Sequence, residues 1–373
     1  MKVGIVGAGQ LGGFLCQAAR EVGLSSAVLA KSEADGARRF ADQSFLSNFG
    51  DAGEIDALIE WADVVTFELE DVSAPMLERL DASSDTEVYP QPSVMRILQN
   101  KALQKDWLAE RGYPLPSYRR LDEGLRSLDQ VSDFAGGYVI KTQRGGYDGL
   151  GVYVADEGEL PDAYRDVPVV VERLLKEFSE IAVLVARDRA GNTEHYPVFE
   201  SEFNEGGNVL SRVYSPARID EALAERAIDM AVKVVGDLAG VGLFAVELFV
   251  EDGELLLNEI APRVHNVGHL TLEASNVSQF EQHIRAVCGL PLTPVQTLAP
   301  AVMCNLLYDD ELAGACAAQD DRLNADDVRV HWYGKTEGRP LRKMGHLTAL
   351  GRTIEEAANL ATATYARLTS EPD

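Results

Sequence analysis

The chain begins with a short apolar strand, Val3–Val6, that runs into the glycine-rich turn Gly7-Ala8-Gly9-Gln10-Leu11-Gly12 and an amphipathic helix, Gln10–Val22. A strand without a polar face must be covered on both sides, and the helix that follows it provides one cover. Two more apolar strands, Ser26–Ala30 and Val64–Phe67, alternate with helical patterns. The helical patterns are a segment through Phe40, Ile55–Trp61 and Ala74–Leu80. This alternation predicts an N-terminal, doubly wound parallel sheet in an α/β protein.

The glycine turn matches the dinucleotide-binding fingerprint, in which a helix N-terminus faces a phosphate. A nicotinamide-binding domain also needs an acidic residue at the end of the second strand to hold the ribose. That strand ends Val28-Leu29-Ala30-Lys31 and has no acid. A nicotinamide dehydrogenase is therefore disfavoured, and two interpretations of the turn remain: it contacts another phosphate, or it only packs.

Length and charge narrow the function classes. A chain of 373 residues has room for two or three domains. Its formal net charge of −26 disfavours nucleic acid and anionic membranes as partners. No apolar run approaches the roughly 20 residues of a membrane span, and the first residues lack a signal-peptide pattern, so we expect a cytoplasmic protein. The four cysteines, at 16, 288, 304 and 316, have neither metal-ligand nor disulfide-framework spacing.

A second glycine-rich loop, Arg144–Gly151, lies between the predicted strands Tyr138–Thr142 and Val152–Val154. Its N–H groups could wrap phosphate oxygens, and Lys141 at the end of the first strand could add a cationic contact. An ordinary long hairpin is the alternative.

Glu247 and Glu259 follow apolar residues on two strands that read as a hairpin turning near Asp252-Gly253. A three-residue loop would place the two carboxylates opposite each other, whereas a two-residue turn would pair Glu247 with Asn258. Adjacent buried carboxylates repel unless a cation separates them, and Mg²⁺ takes one or two carboxylates together with nucleotide phosphates. The pair predicts a magnesium site, with two surface acids as the alternative.

The sequence contains two further clusters of polar residues that could belong to a functional site. One is the run that contains Arg263, His265, Asn266 and His269, which is either a reactive site or a stabilised loop. The other is a basic cluster near the C-terminus, consisting of Lys335, Arg339, Arg342 and Lys343. In an acidic chain such a cluster is suited to a phosphate group, although a solvated basic face is also consistent with it.

Taken together and in order, these motifs resemble the ATP-grasp superfamily and, within it, the N5-carboxyaminoimidazole ribonucleotide synthetase family. The matching segments extend through nearly the whole chain. They are Gly7–Gly12, Thr66-Phe67-Glu68, Arg144–Gly149, Asn258–Asn266, Ser278–His283, Tyr333-Gly334-Lys335 and Arg339–His346.

The resemblance implies three domains: an N-terminal doubly wound domain (1–100), a linker helix with a small lid (101–175), and a C-terminal ATP-grasp domain with α+β character (176–373). It also implies a ligase that uses ATP, Mg²⁺ and bicarbonate to carboxylate 5-aminoimidazole ribonucleotide through carboxyphosphate. A homodimer is implied in the same way.

The resemblance also assigns roles to residues of this sequence. The ATP site would comprise Lys101, Lys141, Gly146, Tyr147, Asp148, Gly149, Leu150, Gly151, Val152, Glu172, Arg173, Leu174, Leu175, Glu180, Asn258 and Glu259. The ribonucleotide site would comprise Gln10, Leu11, Glu68, Tyr147, Asp148, Lys335 and Arg342. Glu247 and Glu259 would hold Mg²⁺, and Arg263, His265 and Asn266 would be catalytic.

The sequence departs from the family pattern at several positions. Gly13-Phe14 stands where Arg-Met is frequent, Leu150 where a cation is usual, Phe203 where some relatives have a nucleotide-contacting His, and Val267 where Ser is usual. The departures at 13 and 150 remove positive charge near phosphates. Competing interpretations are therefore another ATP-grasp ligase, such as a formate-dependent glycinamide ribonucleotide transformylase, and a catalytically silent nucleotide-binding protein.

Overall fold

The computed structural model describes residues 1–49, 52–83, 85–146, 151–204, 209–309, 312, 314–315, 326–335 and 338–369. Within these ranges the strands form three sheets, one parallel and two antiparallel. No helix in the described part of the chain is both long enough and apolar enough to cross a membrane.

The first sheet is parallel and has the strand order β3-β2-β1-β4-β5. Its strands are β1 Lys2–Val6, β2 Ser25–Ala30, β3 Gln43–Leu46, β4 Val64–Phe67 and β5 Glu87–Val88. The helices around it are α1 Gln10–Glu21, α2 Asp56–Trp61, α3 Ala74–Asp81 and α4 Pro92–Leu98. Because β1 and β4 are neighbours, the turn after β1 lies beside the residues that follow β4. The predicted doubly wound domain is confirmed.

The second sheet is small and antiparallel, with the order β6-β9-β7-β8. Its strands are β6 Tyr118–Leu121, β7 Tyr138–Thr142, β8 Val152–Ala155 and β9 Val169–Arg173. Helix α5, Lys101–Glu110, leads into it and begins at a defined residue because the Asn100 side chain accepts hydrogen bonds from the N–H groups of Ala102 and Leu103.

The third sheet has nine strands in the order β15-β14-β10-β12-β13-β16-β18-β17, with β11 paired to β10. The strands are β10 Ser179–Arg187, β11 Thr193–His195, β12 Phe199–Phe203, β13 Leu210–Ser215, β14 Gly242–Glu251, β15 Glu254–Ala261, β16 Ala301–Leu307, β17 Val328–Trp332 and β18 Lys343–Leu350. The associated helices are α6 Glu221–Leu238, α7 Thr271–Ala274, α8 Gln279–Val287 and α9 Ile354–Thr369.

Buried His283 on α8 joins the first sheet to the third. Its Nδ1 accepts the N–H of Leu243 on β14 at 3.0 Å, so its Nε2 carries the proton and donates to Thr66 Oγ1 on β4 at 2.7 Å. The α8 side chains and those of α1 belong to one apolar core that reaches both sheets. The site described next lies where these sheets and α5 approach one another.

One sequence-based expectation is wrong, and two strands were not predicted. The segment from Lys31 to Phe40 contains only a short 3-10 turn, Gly36–Arg39, and the strand β3 that follows it was not anticipated. Strand β18, which begins at the basic residue Lys343, was also missed. The thiols of Cys16, Cys288 and Cys304 are free and buried.

Candidate active site

A cavity of about 500 Å³ lies between the first sheet, the glycine-rich loop and the third sheet. Its walls carry most of the polar groups that the sequence singled out. The residues in its walls that the sequence singled out include Gln10, Leu11, Glu68, Lys101, Gly146, Glu180, Glu247, Glu259, Arg263, His265, Asn266 and Lys343. Tertiary structure therefore brings together side chains from both ends of the chain.

The glycine turn after β1 wraps a carboxylate of the protein itself. The Glu68 side chain follows β4, and its two oxygens accept the N–H groups of Gly9 and Gly12, each at 2.5 Å. A Cβ on Gly7, whose φ is +108°, would lie 2.3 Å from Glu68 Cγ. The fingerprint glycines thus permit the close approach of Glu68, which occupies the position of a dinucleotide phosphate at the helix N-terminus.

Lys141 and Glu172 form part of a buried polar cluster that also contains Lys105 and Asn258. Lys141 Nζ lies 3.0 Å from Glu172 Oε2 and 2.9 Å from Asn258 Oδ1. Lys105 Nζ lies 3.0 Å from the other carboxylate oxygen of Glu172 and donates to the Asn258 carbonyl at 3.2 Å. Burial opposes ionisation of Glu172, but the two ammonium groups nevertheless lower the pKa of its carboxyl group.

Glu247 on β14 lies directly opposite Glu259 on β15. The turn between the strands has two residues, Asp252 and Gly253, both with positive φ, as in a type I′ turn. A β-bulge restores the carboxylate pairing, because Asn258 is an extra residue between Glu259 and Leu257. The predicted pairing is therefore confirmed, although the three-residue loop on which it depended is absent.

The two carboxylates have opposite electrostatic environments. Burial and the nearby carboxylates of Glu259 and Glu180 raise the pKa of Glu247 well above its ordinary value. Burial acts in the same direction on Glu259, but Lys101 and Lys141 hold its pKa at about 2. Burial also raises the pKa of Glu180 to about 7. Three acidic side chains therefore converge beside an ammonium group, Lys101, which is ion-paired to Glu259.

Helix α5 is held against β15 by Gln104, so the position of Lys101 is well defined. The Gln104 side chain accepts the N–H of Ile260 at 2.8 Å and donates to its carbonyl at 3.1 Å. These reciprocal bonds place the first turn of α5 beside Glu259. Lys105 lies one helical turn further along and on the same face.

The polar run after β15 turns into the cavity. Arg263 Nε lies 3.3 Å from Glu70 Oε2, and His265 Nε2 lies 3.2 Å from Glu247 Oε1. Gln279 fixes the backbone of His265 through bonds to both its N–H and its carbonyl, at 2.8 and 2.7 Å. Asn266 instead exchanges amide hydrogen bonds with Asn305 on β16. Arg263 therefore lies against Glu70 and His265 against Glu247 in the cavity wall.

The basic cluster contributes to the cavity through Lys343 rather than through the two residues predicted to bind substrate. Lys335 donates to the Lys343 carbonyl at 2.7 Å, and its ammonium lies 5.3 Å from the centre of the Tyr333 ring. Arg342 directly precedes Lys343 and is half-buried. Both predicted residues therefore lie next to a wall residue but do not line the cavity themselves.

Several residues of the predicted ATP site lie away from the cavity, on or beside the second sheet (β6–β9, the lid sheet), or outside the described residues. Tyr147, Asp148, Gly149 and Leu150 lie outside the described residues, so their assigned contacts stay predictions. Gly151 accepts the N–H of Thr142 at the end of the hairpin, and Val152 pairs with Lys141. The Arg173 guanidinium forms a bidentate ion pair with Glu251, Leu174 is half-buried, and Leu175 is buried.

Two charged residues of the site, Lys105 and Glu70, were not predicted from the sequence. The i, i+4 spacing of Lys105 from Lys101 on a predicted helix was the available signal for the first. Among the departures from the family pattern, Phe203 and Val267 both line the cavity, and Val267 also packs in the apolar core. A Cβ at Gly13 would meet the Phe40 ring at 3.2 Å, so this position faces an aromatic side chain.

Comparison with known proteins gives consistent matches along the chain. Residues 1–99 match the ribonucleotide synthetase preATP-grasp domain, residues 106–280 the ATP-grasp domain, and residues 301–360 the phosphoribosylaminoimidazole carboxylase C-terminal domain. The N5-carboxyaminoimidazole ribonucleotide synthase of Bacillus subtilis is 34% identical over 95% of this chain and 92% of its own. That of Brucella melitensis is 35% identical over 94% and 97%.

Solved structures agree with these matches. The N5-carboxyaminoimidazole ribonucleotide synthetase of Thermotoga maritima has a TM-score of 0.84 at 34% identity, over 98% of both chains. The Aspergillus clavatus enzyme, solved in complex with ADP and 5-aminoimidazole ribonucleotide, has a TM-score of 0.88 at 28% identity, also over 98% of both chains.

Proposed function

Because this chain belongs to the N5-carboxyaminoimidazole ribonucleotide synthase family of ATP-grasp enzymes, we propose that it joins bicarbonate to the amine of 5-aminoimidazole ribonucleotide at the expense of ATP. The products are N5-carboxyaminoimidazole ribonucleotide, ADP and phosphate. The observation that carries the proposal is one cavity whose walls hold Lys101, the opposed carboxylates Glu247 and Glu259, and Arg263 with His265.

ATP lies between the lid sheet and the third sheet in this proposal. Lys101 and Lys141 contact its phosphate groups, and the glycine-rich loop from Gly146 to Val152 covers them. The segment Glu172–Leu175 lines the adenine site, and Glu180 accepts hydrogen bonds from the ribose. Cations and backbone N–H groups at these places stabilise the charge that develops on the phosphoryl oxygens.

Glu247 and Glu259 are the residues that would hold Mg²⁺. The fit follows from their environment, since burial and the carboxylates of Glu259 and Glu180 raise the pKa of Glu247, and a cation there would remove the repulsion. Mg²⁺, when bound, neutralises charge on the phosphate groups of ATP. Among the described residues, no group of three or more His, Cys, Asp or Glu side chains is arranged to hold a metal ion.

Two chemical steps then follow. A bicarbonate oxygen attacks the γ-phosphorus of ATP, the bond to the β–γ bridging oxygen breaks, and carboxyphosphate and ADP form. The substrate amine attacks the carbon of carboxyphosphate, or of carbon dioxide released from it, and phosphate leaves with the electron pair of the broken C–O bond. Arg263 orients the bicarbonate, and His265 accepts the proton that the amine loses. Asn266 holds this catalytic segment through Asn305.

The ribonucleotide occupies the side of the cavity nearest the first sheet. Gln10, Leu11 and Glu68 contact its sugar and base, while Tyr147 and Asp148 approach from the lid. Lys335 and Arg342 hold its 5′-phosphate. Arg offers a phosphate two parallel donors, and the nearby cations Lys335 and Lys343 add charge.

We also propose the domain division 1–100, 101–175 and 176–373, because each of the three sheets falls within one of these parts. The proposed form is a cytoplasmic homodimer without a nucleic-acid or membrane partner. Light scattering of the purified protein should give twice the chain mass of 40.6 kDa.

The decisive test is a coupled assay of ADP release by the purified full chain with Mg²⁺. Release should require both bicarbonate and 5-aminoimidazole ribonucleotide, and the carboxylated product should carry label from ¹³C-bicarbonate. Formate with glycinamide ribonucleotide serves as the control pair. ADP release with that pair, and none with bicarbonate, would reassign the chain to the rival ligase.

A further inference from the structure

Lys105 is the buried charged residue of the site that the proposed mechanism does not use. Lys105 is 2% exposed, and Glu172 beside it is also 2% exposed. Lys105 lies on α5, Glu172 on the lid strand β9 and Asn258 on β15 of the third sheet. One ammonium group therefore joins the three elements that surround the ATP site.

The Glu172 carboxylate is shared between two lysines, one on each oxygen. Lys105 and Lys141 both lie 3.0 Å from it. The proposed function requires Lys141 to contact phosphate groups, and an ammonium that moves towards a phosphate weakens its bond to Glu172. A carboxylate that is 2% exposed cannot be left without a counterion except at a high free-energy cost.

We propose that Lys105 is a positioning residue that remains the counterion of Glu172 when Lys141 turns to the phosphate groups of ATP. The inference rests on the proposed function, because it assumes that adenine nucleotides bind at Lys141. Lys105 acts through Glu172 and contacts no reacting atom. Its bond to the Asn258 carbonyl keeps it in place while Lys141 moves.

Without Lys105, Glu172 would retain Lys141 as its only nearby ammonium partner in this cluster. Lys105→Met removes one positive charge and leaves Lys141 and Glu172 as a neutral pair, so the fold should persist. The double variant Lys105→Met/Glu172→Gln also removes the carboxylate that competes with the phosphate groups of ATP for Lys141. The two substitutions should therefore be strongly non-additive.

The test measures the binding of ATP, ADP and 5-aminoimidazole ribonucleotide to the full chain by calorimetry. Lys105→Met should weaken ATP binding by roughly tenfold or more, since a charge-assisted contact is lost, and should leave ribonucleotide binding within about twofold. The double variant should bind ATP at least about threefold more tightly than Lys105→Met. Lys233→Met, which removes an exposed lysine paired to Asp237, is the matched control and should match wild type.

Equal ATP affinity in wild type and Lys105→Met would overturn the inference while leaving the proposed function intact. A double variant that binds no better than Lys105→Met would also overturn it, because Lys105 would then act through packing alone. If the wild-type chain bound no adenine nucleotide, the proposed function itself would fail, and this inference with it.

Discussion

The two opposed carboxylates, Glu247 and Glu259, should respond differently to the same substitution. Burial and the neighbouring carboxylates of Glu259 and Glu180 raise the pKa of Glu247 well above its ordinary value, whereas Lys101 and Lys141 overcome burial and hold the pKa of Glu259 at about 2. Glutamine has nearly the shape of a protonated glutamic acid. Glu247→Gln therefore removes a charge that burial and the neighbouring carboxylates disfavour, and Glu259→Gln removes a charge that Lys101 and Lys141 stabilise.

The expected magnitudes follow from the contacts. A glutamine at 247 can still donate a hydrogen bond to His265 Nε2, now 3.2 Å from the carboxylate, so the free energy of unfolding should change by less than about 0.5 kcal/mol. A glutamine at 259 leaves the ammonium of Lys101, 19% exposed, without its ion pair. Because both partners are partly solvated, we expect a loss of about 1–3 kcal/mol rather than the larger cost of a fully buried pair.

The assay is denaturant unfolding of the full chain at pH 7.5 without nucleotide or metal, with ADP release measured separately with Mg²⁺ and both substrates. Both variants should lose turnover by on the order of a hundredfold, because each lacks one of the charges that position the cation. Equal destabilisation of the two variants would show that Glu247 is ionised in the free protein. Near-normal turnover of either variant would remove that residue from the metal site.

Three other outcomes are expected. Arg342→Ala should raise the KM for 5-aminoimidazole ribonucleotide by roughly ten- to a hundredfold and leave the Kd for ATP unchanged; the reverse pattern would mean that the two sites have been exchanged. Gly7→Ala should lower the free energy of unfolding by roughly 2 kcal/mol or more, because φ is +108° and the new Cβ would meet Glu68, and an unaffected denaturation midpoint would contradict this. Burial lowers the pKa of His283 to about 3, so as the pH falls His283 is protonated in the unfolded chain at a higher pH than in the folded chain. Its contribution to stability should be complete above about pH 6.5 and decline as the pH falls towards 3, a dependence that His283→Gln should weaken in unfolding experiments across that range.

Local sequence patterns predicted many of the residues that line the cavity. The strand and glycine turn at Gly7 predicted the parallel sheet, because apolar alternation and turn chemistry act over a few neighbouring residues. The glycine-rich hairpin placed Lys141 at a strand end for the same reason. The order of the motifs along the chain carried the family resemblance.

Tertiary structure decided what those motifs contact. The turn at Gly9 and Gly12 binds Glu68, more than fifty residues away, because β1 and β4 are neighbours in the sheet. Glu247 lies opposite Glu259 because of a bulge at Asn258 that hydrophobic periodicity does not reveal.

Lys105 is the clearest example of a residue whose helix the sequence predicts but whose partners only the tertiary structure decides. Its place on a helix could be read from the sequence, but its partners Glu172 and Asn258 are 67 and 153 residues away, counted along the chain. Helix periodicity specifies which face a lysine occupies, and only the packing of α5 between two sheets specifies which carboxylate that face meets. The sequence by itself determined the helices, the strands and the types of reactive residue. The partners that set the charge states of those residues were decided by the packing of sheets whose strands are far apart in the chain.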